Sequence, residues 1–162
     1  ENKDYQAGST LTVEKALPFI EDNFLLMNVD HIYSPEFFKR ILKASNPDKI
    51  IAMSDSDRVL VADDMKIELS SNNTIKKISK QLSVFQKGYI GMSFIGKNQL
   101  QTYKKAVETV KNQTQSKANV EAVLDYLAPQ IGIEVLDLSG IGWYEVDNQE
   151  DLTNAEKGLL KK

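Results

Sequence analysis

A chain of 162 residues, 41% hydrophobic and 27% charged, is long enough for one domain with its own apolar core. A formal net charge of −3, with no run of Lys or Arg longer than a pair, excludes the basic footprint of a nucleic-acid binder. The absence of cysteine excludes disulfides, thiolate metal sites and cysteine nucleophiles, and no apolar run reaches bilayer length or reads as a signal peptide. A cytoplasmic protein with no membrane partner is the default expectation.

In chain order, Ser9 or Thr10 can cap a helix whose apolar positions are Leu11, Val13, Ala16 and Leu17, with Pro18 near its end. Residues 24–29 form a nearly continuous apolar run, the pattern of a strand buried on both faces. Ser34 and Pro35 suit a cap and first turn. Phe37, Phe38, Ile41 and Leu42 then recur at helical spacing as a core stripe, which "ASNPD" (44–48) closes. "KIIAM" (49–53) predicts another buried strand, and this βαβ order calls for a parallel sheet.

The middle of the chain changes character. Residues 65–79 hold two alternating stretches joined by "SSNN", which predicts an antiparallel hairpin. "YIGMSFIG" (89–96) is a strand with glycines inside it, a mark of close approach by backbone or ligand. Helices over 98–112 and 117–128 follow; Val120, Val123, Leu124 and Leu127 make the core face of the second. "IEVLDL" (133–138) is a strand, "SGIG" a turn, "WYEVD" (143–147) a short strand, and 149–161 a closing helix. With no repeat and no linker, residues 1–162 read as a single α/β domain with an antiparallel insertion.

Two acids stand out by position. Asp30 ends "FLLMNVD" and Asp147 ends "WYEVD". Ligands of open α/β sheets bind outside the carboxyl ends of strands. Two carboxylates there suit Mg²⁺, which keeps several waters and borrows phosphate oxygens. Aspartate is also a favoured helix cap, and spacing alone leaves both readings open. His31 is the only histidine, and neither a serine nucleophile motif nor a second histidine accompanies it, so a structural role is expected: orienting Asp30 or bonding the loop. Lys80, after the second hairpin strand, is a point charge suited to phosphate. Gly8 stands before a capped helix, where backbone can approach a base or phosphate. Neither G-x-G-x-x-G nor G-x-x-x-x-G-K-[ST] occurs.

"FLLMNVDHIYSPEF", "MKIELSSNNTIKKISKQL", "YIGMSFI" and "WYEVDNQEDLTNAEK" together resemble the second part of a nucleoside-diphospho-sugar pyrophosphorylase-type nucleotidyltransferase domain. The nearest resemblance is to cytidylyltransferases acting on alcohol phosphates, of the inositol-1-phosphate and phosphocholine kinds. It runs from about Gly8 to Lys157. The resemblance implies a Rossmann-like mixed, mainly parallel sheet flanked by helices. It implies Mg²⁺ on Asp30 and Asp147, Lys80 on the substrate phosphate as the catalytic lysine, and Gly8 with Ser9 beside the nucleotide. Ala7 stands before Gly8 where the family pattern has a polar residue. The family's opening strand, its "GxGTRL"-like loop and the lysine downstream are absent from these 162 residues, so the N-terminal βαβ units are expected to be missing.

The activity implied is transfer of a nucleoside monophosphate, CMP favoured, from a nucleoside triphosphate (CTP favoured) to a phosphorylated sugar or alcohol, with release of pyrophosphate. The chain by itself is expected to be inactive, and to self-associate or pair with a missing N-terminal half. The alternative is a non-catalytic or split-half domain of the same fold that binds a nucleotide or partner. A third reading is a small α/β module whose acids only cap helices.

Overall fold

The structure is a computed structural model that describes residues 2–159. Its helices are α1 (Ser9–Ala16), α2 (Pro35–Ala44), α3 (Leu100–Gln113), α4 (Val120–Ile131) and α5 (Gln149–Leu159). Its strands are β1 (Phe24–Met27), β2 (His31–Tyr33), β3 (Ile50–Asp55), β4 (Lys66–Leu69), β5 (Ile75–Ser79), β6 (Lys87–Ile95), β7 (Glu134–Asp137) and β8 (Trp143–Glu145). The last two residues of the helix expected over 149–161 lie outside the described residues.

The expected mixed α/β sheet flanked by helices is observed. One path through it runs β5-β4-β6-β3-β7, and β1 also pairs with β6. Parallel pairing is confined to β3 and β7; β6 runs antiparallel to β1, β3 and β4. The sheet is therefore less parallel than the βαβ reading implied, because the long strand β6 passes through its middle in the opposite sense. The hairpin of β4 and β5, closed by Ser70 donating to the Thr74 carbonyl, belongs to the same sheet. β2 and β8 form a separate two-stranded ribbon.

β3 shows how the sheet is sandwiched. It is buried along its whole length, and its side chains alternate between two cores. Ile50 and Ala52 join Val13, Tyr103, Val107 and Leu124 beneath α1, α3 and α4. Ile51 and Met53 join Phe37, Ile41, Met92 and Leu138 beneath α2. A fully buried ring such as Phe37 contributes about 1.5–3 kcal/mol relative to exposure.

Two core expectations are corrected. The run at 24–29 is not buried on both faces: β1 is half-buried, and Val29 beyond it is fully exposed. Among the described strands β1 pairs only with β6, so its other edge has no neighbour to cover it. Leu42, placed in the core stripe by its spacing, is 74% exposed, because α2 turns only Phe37 and Ile41 squarely onto the sheet.

Ser9 departs from the role its position suggests. α1 begins at Ser9 itself, after Gly8, and no side chain caps it. The Ser9 hydroxyl instead accepts the Val120 N–H at 3.1 Å, so it satisfies an orphan donor at the start of α4. The Ser9 N–H donates to Asn119 Oδ1 at 3.2 Å, and Thr10 N–H donates to the Ala118 carbonyl. Gly8 makes this clamp possible. Its φ is +152°, and a Cβ there would lie 2.2 Å from the Ala118 carbonyl oxygen.

Candidate active site

β1 and β4 share the same side of β6. β1 ends with Met27 opposite Met92, and β4 begins with Lys66 opposite Gly88. Between them a short stretch of β6 has no strand beside it. Asn28 N–H donates to the Gly91 carbonyl at 2.9 Å and Tyr89 N–H to the Met65 carbonyl at 2.8 Å, so the gap is sealed from both ends. Gly91, at φ +68°, lies in a bulge: Ser93 faces Ala52, but Tyr89 faces Ser54. The glycine in "YIGMSFI" therefore marks a close approach, as its place in a strand suggested. A Cβ on it would lie 2.6 Å from Asn28 Nδ2 and 2.7 Å from His31 Cε1.

A cleft opens over this gap. It consists of three adjoining depressions, all of which include Asn119 and Glu121. Lys80 lines two of them and Asp30 and Ser9 the third, with Asn28 reaching from the first into that third. The structure thus brings Asp30, Lys80 and Ser9 to one continuous surface. Gly8 lies behind Ser9, packed against residue 118.

Asp30 sits in the turn between β1 and β2, with its carboxylate about half exposed. Asp147 reaches its vicinity through the β2–β8 ribbon rather than through a strand of the main sheet. The ribbon pairs His31 with Glu145, and Val146 N–H donates to the Asp30 carbonyl at 2.9 Å. Asp147 is therefore the next residue after the one facing Asp30, and it is exposed. Its backbone N–H donates to Asp151 at 3.2 Å, which ties it to the start of α5. Among the described residues no three of His, Cys, Asp and Glu are grouped to hold a metal by themselves. Carboxylate oxygens such as those of Asp30 and Asp147 are the donor type of Mg²⁺, which takes one or two protein carboxylates and completes its shell with water and phosphate.

His31 occupies the structural position expected of it. Its side chain is 5% exposed and packs on Trp143 with ring centroids 4.7 Å apart. Tyr33 Oη donates to the Ile90 carbonyl, and His31 Nδ1 lies 2.9 Å from that hydroxyl and 3.1 Å from the same carbonyl. Burial, then the Asp30 and Glu145 carboxylates, hold the Tyr33 phenol well above its ordinary value, so it keeps the proton it donates. The other ring nitrogen, Nε2, points between two acids, 3.6 Å from Asp30 and 3.4 Å from Glu145.

Lys80 Nζ pairs with the exposed Asp63 at 2.7 Å. The hydrogen bond from Lys80, and then its charge, hold the Asp63 carboxyl below its ordinary range. Beneath this pair the buried Lys66 ammonium donates its three N–H groups among four carbonyls, those of Val61, Ala62, Asp64 and Lys80, with Ala62 the longest at 3.4 Å. Lys66 thereby fixes the loop before β4 against the backbone of Lys80.

Several residues in and beside the cleft were not singled out in the sequence. Asp55, at the end of β3, accepts from Trp143 Nε1 at 2.7 Å and from Arg58 Nε at 3.2 Å. The Arg58 guanidinium lies 4.5 Å over the Trp143 ring. Glu121 stands in the first turn of α4, where an acid is ordinary on any helix. Glu145 and Trp143 were readable only as alternate positions of a short strand.

The mixed sheet with helices on both faces is the fold of solved nucleotidyltransferases. The structure aligns over 100% of its length with 64% of the inositol-1-phosphate CTP transferase from T. maritima, at a TM-score of 0.77 and 21% identity. It also matches 59% of a Bacillus anthracis protein assigned as a glucose-1-phosphate thymidylyltransferase, at a TM-score of 0.69 and 12% identity over 91% of the chain. In sequence it is 26% identical over 165 residues to the bifunctional IPC transferase and DIPP synthase of Rubrobacter xylanophilus. No family model matches the chain. The resemblance to nucleotidyltransferases of the cytidylyl-transferring type, carried in the sequence by its motifs, is borne out by these relatives. The chain spans 35% of the curated relative and less than two thirds of each solved chain. Among the described residues no helix is long and apolar enough to cross a membrane.

Proposed function

We propose that the chain forms the acceptor side of a nucleotidyltransferase that moves a nucleoside monophosphate, CMP in preference, from its triphosphate to a phosphorylated polyol or sugar. The observation that carries this reading is the placement of a lysine (Lys80) and an acid (Asp30) on one continuous cleft beyond the sheet. An oxygen of the acceptor phosphate forms a bond to the α-phosphorus, the bond from that phosphorus to the bridging oxygen breaks, and pyrophosphate leaves with the electron pair. Lys80 holds the acceptor phosphate in line, and Ser9 lines the nucleotide side of the cleft beside Gly8. Asp30 and Asp147 would hold Mg²⁺, which when bound neutralises charge on the phosphates. No protein base is required, because a phosphate nucleophile is already ionised near neutral pH. The chain's own contribution is positioning and charge.

The test is pyrophosphate release with CTP, UTP, dTTP, GTP and ATP against inositol 1-phosphate, glucose 1-phosphate and phosphocholine, measured in a protein that contains this chain. CTP with inositol 1-phosphate is expected to give the fastest release. No release with any pair would refute the reading.

β1 supports the self-association or pairing expected from the sequence. It has a partner on one side only among the described strands, and Met27 and Val29 beside its end are exposed. Light scattering on the 162-residue chain is expected to show association that the double variant Met27→Lys, Val29→Lys reduces without lowering its melting temperature. A wild-type chain that stays monomeric at 0.1 mM, on the order of the concentrations where exposed edges aggregate, would remove this surface from consideration.

A further inference from the structure

We propose that Glu121 reads the hydroxyl groups of the acceptor, and that the acceptor is therefore a phosphorylated polyol bearing free hydroxyls next to its phosphate. This rests on the acceptor reading of the cleft given above and adds the residue that sets its specificity.

Glu121 is the one acid that belongs to all three depressions of the cleft. Its Oε2 is buried and has no hydrogen-bond partner in the protein. A carboxylate oxygen withdrawn from water without a donor is a cost that a folded protein carries where a ligand supplies the missing donor. Burial pushes the Glu121 carboxyl above its ordinary range, while its own backbone N–H and the nearby Lys80 charge pull the other way. The site therefore rewards a donor placed on Oε2.

The neighbours say which donor. Asn119 has its carbonyl oxygen engaged by Ser9, so the group it has left to offer a ligand is its NH₂. Asn28 adds a second amide to the lining of the same depression. A carboxylate that accepts and amides that donate match hydroxyls, which do both. A quaternary ammonium offers no donor. The Trp143 ring, the aromatic face that could receive such a cation, already carries the Arg58 guanidinium and packs against His31.

Calorimetric titration of the 162-residue chain separates the contributions, with inorganic phosphate, inositol 1-phosphate, cyclohexyl phosphate and phosphocholine as probes. Wild type is expected to bind inositol 1-phosphate about 10-fold or more tighter than cyclohexyl phosphate, the same ring without hydroxyls, as suits a hydrogen bond to a charged group. Glu121→Gln reduces that preference, and inorganic phosphate, which has no ring hydroxyls to read, binds the variant no more weakly than wild type because a negative charge near Lys80 is gone. Lys80→Ala weakens all four probes together. The ring comparison on wild type reads the hydroxyl contact even if the variant does not fold. Wild type that binds none of the phosphate esters overturns the acceptor reading of the cleft. Wild type that prefers inositol 1-phosphate, with the preference intact in Glu121→Gln, overturns the role of Glu121 alone. Tightest binding of phosphocholine overturns the polyol class.

Discussion

Gly91→Ala is expected to lower stability by about 2–4 kcal/mol and to disable the cleft in the same step. Two costs combine. An alanine at φ +68° sits in the left-handed region, which disfavours a Cβ by about 1–2 kcal/mol. The new methyl would also lie 2.7 Å from His31 Cε1. A flexible side-chain end could swing away, and Asn28 has that freedom. His31 does not: its ring is buried on Trp143 and held at Nδ1 by Tyr33 and the Ile90 carbonyl. Moving it displaces the nitrogen that faces Asp30 and Glu145, so ligand binding should fall with stability. Thermal melts and phosphate titration of the variant check both effects. A melting temperature within about 1 °C of wild type, a shift of about 0.5 kcal/mol or less for a domain of this size, would show that the bulge absorbs a methyl and that the argument from φ is wrong.

The sequence made the regular elements legible wherever burial imposes a period. The hairpin closed by "SSNN" lies where expected, since alternation and turn chemistry are local signals. The apolar run inside "KIIAM" became the fully buried strand β3, since a strand covered on both faces needs apolar side chains on both. The apolar run at 24–29 misled in degree, because hydrophobicity reports what a strand prefers to bury and not whether a neighbour is present to bury it. Ser9 misled because its partner, the start of α4, is 111 residues away in the chain. Asp30 was singled out as the end of a strand, but β1 stops at Met27 and Asp30 lies in the turn beyond it, where it lines the cleft. The site was not legible at Arg58, in a loop without periodicity, or at Glu121, whose first-turn position on α4 has an ordinary explanation. What distinguishes Glu121 is that its oxygen has no partner, a property of the packed chain that local pattern does not carry.

Lys80→Ala is expected to lower kcat/KM for the acceptor phosphate by about 100- to 1,000-fold, the usual consequence of removing one positioned donor, while the KM for the triphosphate changes by less than about 3-fold, since interactions made to one substrate alone report on that substrate. The present partner of Lys80 explains why the lysine is available. Asp63 is 92% exposed, and an ion pair at such a surface is worth at most about 1 kcal/mol. A phosphate oxygen makes a charge-assisted bond about twice as strong as a neutral one, in a cleft where it meets less water. Exchange of Asp63 for the acceptor phosphate is therefore downhill. Lys66 limits what the exchange costs in order, because its bond to the Lys80 carbonyl holds that backbone to the loop before β4 whether or not the Lys80 side chain is paired. It follows that Asp63→Ala should strengthen acceptor binding slightly, in the opposite direction to Lys80→Ala. Steady-state pyrophosphate release with acceptor and triphosphate varied in turn separates the two constants. Equal losses toward both substrates would mean that Lys80 touches the triphosphate instead. No loss toward either would mean that the pair with Asp63 is all that Lys80 does.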